Sequence, residues 1–421
     1  MKVGILTDFI NHDPAYSLCG VVLNQLKMLR MTHIPVEVTV FVRADPNVFT
    51  EAYGSYSDRI VQLNPGKTGS NTVDVTNESD AEIEDLYDQF ILQFNGIDVI
   101  LTHDLIYQAN MWKYHVAARR YASIYERKPD ELRWLHWIHS STAWDVKGQT
   151  GKFEKELEGK FPNAKLVAFH DEEINRKGTM YGYERDEIVV IPNPLDVMAD
   201  YHEDAQRILR QTDFWKAELI AVYPARLDRG KQIEVVCEIF RELRNSHWDA
   251  RVIVVDFHST AGDKAVYRHE LKDKYSDFLY FTSDLEGLSY HVPHQAVMDL
   301  FDYADVFIHP SRSEADPLTV PEAMWKGNLL VLNFDLPLMR QWQGQAIMGK
   351  FSSNIDVNSG MPGETNTEYG NRKTYMRGIA DAILYHAKQN MILLGHRQVR
   401  MERSIEASFW KTFWPVISGS R

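Results

Sequence analysis

Short apolar runs of strand length alternate with helix-length stretches along almost the whole of this 421-residue chain, and no other feature constrains the fold as tightly. Such alternation builds parallel sheets whose strands are joined by helices packed on both faces, so the expected fold class is α/β. In the first half the strands are expected at Lys2–Thr7, Val36–Val42, Ile97–Thr102, Arg133–Ile138, Lys165–Phe169 and Glu187–Ile191, with helices such as Gly20–Met31 and Ala109–Arg127 between them. That series suits one doubly wound domain.

A second series starts after Pro192-Asn193-Pro194, with strands near Glu218–Tyr223, Ala250–Asp256, Phe278–Thr282, Asp305–Ile308 and Asn328–Leu332. The proline-rich stretch therefore reads as a boundary between a domain at 1–194 and another at 195–395. Phe409-Trp410 and Phe413-Trp414, at helical spacing, mark 396–421 as a terminal helix that crosses back to the first domain. The Gly-, Ser-, Thr- and Asn-rich segments Asn64–Asp80 and Ser352–Asn371 show no periodicity and read as loops. Two sheets of this kind bind ligands at the carboxyl ends of their strands, and here they are expected to face each other across a cleft.

Several functional classes are disfavoured early. The apolar run within MKVGILTDFINHD is too brief for a signal peptide or a membrane span, and reads as a buried first strand. Cys19 and Cys237 lie far apart without metal-ligand spacing, so neither disulfide nor structural zinc is expected, and a reducing, cytoplasmic setting follows. Residues 1–196 hold 20 Lys and Arg against 29 Asp and Glu, a balance of -9, which leaves -4 of the total -13 for the rest. A broad polyanion-binding surface, and nucleic acid as a partner, are disfavoured by that balance.

The most informative stretch runs from His309-Pro310-Ser311 through Glu314, Ala315, Asp316, Pro317, Leu318 and Thr319 to Glu322 and Gly327, directly after an apolar strand. Asp316 is expected to cap a helix with Pro317 at its first position, leaving the amides of Leu318 and Thr319 free for a phosphate. Glu314 then presents a carboxylate to sugar hydroxyls beside that anion site, and Glu322 one to a ribose. About ninety residues earlier, strand Glu218–Tyr223 runs into Arg226, Arg229, Gly230 and Lys231, cations suited to neutralising a diphosphate leaving group. Taken singly, each stretch also fits a surface loop or an ordinary basic turn.

Together, in this order and spacing, they resemble the nucleotide-sugar-binding domain of glycosyltransferase family 4. The family's Glu-x7-Glu element resembles Glu314 to Glu322 followed by Ala323, Met324 and Gly327, and its Arg-x4-Lys resembles Arg226 and Lys231. The likeness extends upstream through Lys165–Phe169, Tyr181-Gly182 and Pro192–Asp196, and covers most of 165–335. It implies the GT-B fold, two Rossmann-like domains, and transfer of a sugar from a UDP- or GDP-type donor with retention of configuration and no required metal or cofactor. Gly20 stands where the family has a paired glycine whose amide approaches the diphosphate, and His139, after Arg133-Trp134-Leu135-His136-Trp137-Ile138, stands where it has its active-site histidine. His136 is a neighbouring candidate, and His103-Asp104 a second polar pair at a strand end, on the acceptor side. The family's mechanism has the leaving phosphate accept the acceptor's proton on the same face, with Glu314 orienting the sugar.

Departures from the pattern fall at Cys19, at Asp316 in place of an aromatic, and at Pro317 in place of a glycine; the proline removes an amide donor worth about 1 kcal/mol. They keep open a catalytically silent nucleotide-sugar-binding subunit, besides an epimerase or phosphorylase of the same architecture. No Asp-x-Asp occurs, in keeping with metal-independent chemistry. The mixed basic and aromatic stretch Trp112 through Tyr121 to Arg127-Lys128 reads as a solvated helix face, with peripheral membrane contact as the weaker reading. The acceptor is not readable from scattered aromatics such as Tyr107, Trp112, Trp137 and Trp144, nor is the oligomeric state.

Overall fold

The computed structural model describes residues 1–64, 73, 75–106, 108–125, 133–139, 149–257, 263–288, 292–351 and 366–419. The chain divides into two compact units, Met1–Asp196 with Arg403–Arg421, and Val197–Glu402. The first unit ends two residues beyond the expected boundary at 194, and the chain re-enters it at Arg403, not at 396. The reason is local: the Leu195 amide donates to the Arg403 carbonyl (2.7 Å) and the Ile405 amide to the Leu195 carbonyl (3.1 Å), so outgoing and returning segments pair side by side. Lys27 anchors the outgoing segment through Asp196 at 2.7 Å.

The first unit holds a seven-stranded sheet of β1 (Lys2–Leu6), β2 (Glu37–Val42), β3 (Arg59–Gln62), β4 (Val99–His103), β5 (Arg133–Trp137), β6 (Ala164–Ala168) and β7 (Ile188–Val190). Its order is β3-β2-β1-β4-β5-β6-β7, with every neighbouring pair parallel. The second holds a six-stranded sheet of β8 (Leu219–Arg226), β9 (Ala250–Phe257), β10 (Leu279–Phe281), β11 (Val306–His309), β12 (Leu329–Asn333) and β13 (Ala346–Gly349), ordered β10-β9-β8-β11-β12-β13 and again parallel. Each unit is Rossmann-like and doubly wound, the domain type of the GT-B fold, with its strand order reversing beside the first strand.

Burial explains why the strands read as continuous apolar runs. Side chains alternate across a sheet, and helices cover both faces, so both sets must be apolar. In β1, Val3 and Ile5 join one core with Val99, Leu101 and Trp137, while Leu6 joins another with Ile100, Phe90 and Trp134. The last segment closes the first of these cores with Phe409, Phe413, Val416 and Ile417. Each fully buried side chain of this size contributes about 1.5–3 kcal/mol before chain entropy is counted.

Three expectations are corrected. Edge strands β3 and β13 were not foreseen: each has only four residues, with little of the alternation that marks a strand. The stretch from Ala109 forms a short turn (Ala109–Met111) and a helix (Trp112–Tyr125) that is no solvated face. Trp112, Lys113, Tyr114, His115 and Tyr121 are all buried, which also removes them from any membrane surface. Lys113 is accommodated by an ion pair with Glu82. Part of the loop expected at Ser352–Asn371 belongs to the helix Asn366–Gln389. Tyr107, Arg127, Lys128, Ser140, Ser141 and Trp144, and most of Asn64–Asp80, lie outside the described residues. Among the described residues no helix is long and apolar enough to cross a membrane.

Candidate active site

In the second unit the strand order reverses between β8 and β11, and the polar groups gather at the carboxyl ends of these two strands. β8 runs into the turn Arg229–Lys231, and Gln232 then takes φ +53° to swing the chain into the helix Ile233–Asn245. A left-handed glutamine carries strain, held in place here by a fully buried side chain that donates to the Phe351 carbonyl at 3.3 Å. The turn is fastened from beneath, where the Tyr223 hydroxyl donates to the Lys231 carbonyl at 2.8 Å and lies 3.5 Å from the Ser311 hydroxyl.

Glu314 projects from the segment after β11 and forms a hydrogen-bonded ion pair with Lys231. On its other side the buried His309 ring places Nε2 3.4 Å from the same carboxylate oxygen. Burial alone pushes the Glu314 pKa up, but hydrogen bonds from His309, Lys231 and Ser311 outweigh it and hold the group at about 2. Glu314 is thus a fixed carboxylate, suited to accepting hydrogen bonds and unsuited to donating a proton near neutrality.

The remaining residues expected at this site are placed as follows. Arg226 is largely exposed, with Asp228 at 3.4 Å, whereas Arg229 is engaged by Glu270 at 2.8 and 3.0 Å and lies over the Tyr267 ring. Ala315, Asp316 and Leu318 are exposed. The expected Asp316 cap is corrected: the helix is Thr319–Trp325, its cap position is Leu318, and no side chain caps it. Pro321 explains the shift, because it has no amide to donate back to Pro317. The Val320 amide instead bonds Pro317 in a tighter turn, and the first full helical bond is Glu322 to Leu318, 3.1 Å. Glu322 accepts from, or pairs with, the exposed His294 at 2.9 Å.

The first unit repeats the theme at its own reversal point, between β1 and β4. His103, the last residue of β4, is buried, with Nε2 3.0 Å from Gln25 Oε1 and Nδ1 3.0 Å from His139 Nε2. Asp104 follows with φ +56°, and its Oδ1 accepts the His139 amide at 2.7 Å. Burial raises the Asp104 pKa to about 6, with Asp8 adding repulsion; Asp8 is raised as well, and is steadied by Asn110 at 2.9 Å. Burial lowers His103 well below the usual imidazole range and His139 to about 4, the latter also repelled by Lys177. Lys177 is itself buried, donating to the carbonyls of Ile138 and Val167 at 3.0 and 3.1 Å. His136 points elsewhere, bonded to Thr102 at 2.6 Å within the core. Gly20 is the fourth residue of the helix Ser17–Leu29, exposed, and a Cβ there would meet no protein atom. The fold itself does not demand glycine at this point.

Residues 204–333 match the model of the family "Glycosyl transferases group 1". The second unit is similar to that group. Among solved structures, the chain is similar to a glycosyltransferase from Rickettsia africae (14% identity, TM-score 0.36, 99% of this chain and 98% of that one). It is also similar to the lipopolysaccharide outer core galactosyltransferase WaaB (14%, 0.36, all of both chains) and to Anabaena HepE in complex with UDP (13%, 0.35, all of both chains). At such identities and scores these likenesses carry no argument about activity. No curated protein matches. The assignment to glycosyltransferase family 4 is corrected by the family match: Glu314 to Gly327 and Arg226 to Lys231 lie inside the segment that marks the broader group, so they do not single out the narrower family.

His309, Ser311 and Tyr223 were not given roles from sequence, although His309-Pro310-Ser311 opens the motif. Gln25, Asp8 and Lys177 were missed altogether: Gln25 and Lys177 lie on helices whose patterns read as ordinary, and Asp8 lies just past the buried first strand. Among the described residues no group of three or more His, Cys, Asp or Glu is placed to hold a metal ion, and Cys19 and Cys237 are buried free thiols.

Proposed function

We propose that this chain is a glycosyltransferase of the GT-B type that transfers a sugar from a nucleotide-diphosphate donor to an acceptor hydroxyl. The observation that carries the reading is the Lys231–Glu314–His309 cluster at the reversal point of the second sheet, within the segment that matches glycosyl transferases group 1. A fixed cation beside a fixed carboxylate meets both demands of a sugar diphosphate: the cation offsets charge on the leaving phosphate, and the carboxylate accepts from sugar hydroxyls.

In this reading Arg226 and Lys231 hold the diphosphate, with the backbone around Ala315, Asp316, Leu318 and Thr319 lining the donor and Glu322 taking the ribose once it parts from His294. Gly20, His139, His103 and Asp104 serve the reaction from the first unit, the last two on the acceptor side. The bond between the anomeric carbon and the phosphate oxygen breaks and one to the acceptor oxygen forms on the same face. The acceptor's proton passes to the departing phosphate, so configuration is retained without a protein base and without a metal. Glu314, held ionised, orients the sugar and steadies the positive charge that develops on it.

A thermal-shift series with UDP, GDP, ADP and their sugar conjugates tests the donor side. A ligand at 100 times its dissociation constant adds about 2.7 kcal/mol to stability, a shift of several degrees. A shift with one nucleotide family, together with turnover in an acceptor extract that Glu314→Ala abolishes, supports transfer. Binding without turnover in the wild-type chain points instead to a silent binding subunit, and turnover without acceptor to an epimerase.

A further inference from the structure

The helix Ser17–Leu29 buries an apolar stripe of Leu18, Cys19, Val22, Leu26 and Leu29, and in its midst a glutamine, Gln25, that is equally buried. Burying an amide costs free energy unless it is hydrogen-bonded, and packing gives no reason for a polar residue at this position. Its Oε1 meets His103, whose other ring nitrogen meets His139, while its Nε2 has no hydrogen-bond partner among the described residues.

With the Gln25 amide oriented so that Oε1 faces His103, the contacts set proton positions in sequence. Gln25 Oε1 can only accept, so the proton of His103 sits on Nε2, 3.0 Å away. A neutral imidazole carries one ring proton, which leaves His103 Nδ1 as an acceptor. His139 Nε2 lies 3.0 Å from it, and a hydrogen bond there requires the proton on that nitrogen. His139 Nδ1 is thereby left with its lone pair. Both rings stay neutral: His103 is buried under the Trp137 ring, and His139 lies beside Phe169 with the Lys177 ammonium near it. Asp104 bonds the backbone amide of His139, not its ring, so it does not compete for the ring proton.

Resting on the reading that His139 serves glycosyl transfer, we propose that Gln25 is a positioning residue which, through His103, sets the tautomer of His139 and presents its Nδ1 as a hydrogen-bond acceptor to a substrate hydroxyl.

The test uses the full-length chain labelled with ¹⁵N-histidine and two-bond ¹H–¹⁵N correlation spectra, with the two rings assigned from His103→Asn and His139→Asn variants. The wild-type protein should show both rings protonated on Nε2. Gln25→Met, similar in shape but without an acceptor, should leave both rings as tautomer mixtures while melting as a folded protein, and Gln25→Glu, an acceptor when ionised, should restore the Nε2–H form. A His139 ring protonated on Nδ1 in the wild type, or unchanged in Gln25→Met, overturns the relay. In turnover assays, kcat of Gln25→Met falls by about half when the two tautomers become equally populated, since only the competent fraction acts, with KM for the donor unchanged. Shifted tautomers with unchanged kcat leave the relay standing and remove His139 from the reaction instead.

Discussion

The Arg312 amide donates to the Gly230 carbonyl at 2.9 Å, tying the segment after β11 to the turn after β8. This bond sets the two loops side by side, so that Lys231 meets Glu314 across it. The ion pair at the centre of the second unit thus rests on backbone geometry, with Tyr223 and Ser311 beneath.

Glu314→Gln keeps the size of the side chain and removes its charge, leaving Lys231 and His309 facing a neutral group. Loss of a partly buried charge-assisted bond costs about 1–3 kcal/mol, and urea unfolding at neutral pH should show a loss in that range while turnover disappears. The pH dependence follows from the depressed pKa. Glu314 titrates at about 2 in the folded protein against 4.5 ordinarily, so its contribution is full above pH 4.5 and is lost as the pH falls toward 2. The stability gap between wild type and Glu314→Gln should close over that window.

Asp104 behaves in the opposite sense. Its pKa is raised from 3.8 to about 6, so the folded state binds more protons than the unfolded one between those values, and stability falls as the pH rises through them. Asp104→Asn keeps an acceptor for the His139 amide and tolerates φ +56°. It should gain on the order of 2 kcal/mol relative to wild type between pH 3.5 and pH 7, measured by denaturant midpoints. A constant difference across this range would mean that the Asp104 pKa is not raised in the folded protein.

Much of this architecture is legible in the sequence because both sheets are covered on both faces. Eleven strand-like runs were readable from continuous apolar stretches, while Arg59–Gln62 and Ala346–Gly349 were not, being edge strands of four residues. Glu314, Lys231 and Arg226 stood out because a charge in a loop directly after an apolar strand is conspicuous. Gln25 and Lys177 did not, since a single polar residue in a helix reads as surface until the tertiary structure buries it. The helix start at Leu318 was misplaced by reading Asp316-Pro317 as a local signal, when Pro321, four residues on, removes the donor that signal needs.

In the second unit Arg400 reaches into the core, 2.9 Å from Asp305, and also donates to the carbonyls of Tyr303 and Ala217. Asp305 in turn accepts the Ile220 amide at 2.8 Å, fixing the start of β8. Arg400→Met strands a buried carboxylate and should cost about 3–5 kcal/mol in chemical denaturation. Adding Asp305→Leu should recover only part of this, because the second change leaves the Ile220 amide without its acceptor. Full recovery would show that the pair, not its backbone bonds, governs stability.

The three cations at the end of β8 and in the turn that follows it are not equivalent. Arg229 is clamped by both oxygens of Glu270 and stacked on Tyr267, Lys231 is paired with Glu314, and Arg226, its side chain largely exposed, has Asp228 at 3.4 Å. Arg226 has the least to give up, and Lys231 keeps further N–H donors while it stays beside Glu314 in the cluster proposed to hold the donor, so Arg226→Ala and Lys231→Ala should each weaken binding of the preferred nucleoside diphosphate by about 1.5–3 kcal/mol, the value of a hydrogen bond to a charged group. That is roughly tenfold to a hundredfold in dissociation constant. Arg229→Ala should leave it nearly unchanged and instead lower stability slightly, by about 0.2–1 kcal/mol, the value of an exposed ion pair. Isothermal titration of the three variants separates the roles. Weakening by Arg229→Ala as large as by Arg226→Ala would mean that the whole basic turn engages the diphosphate and that the Glu270 pair opens on binding.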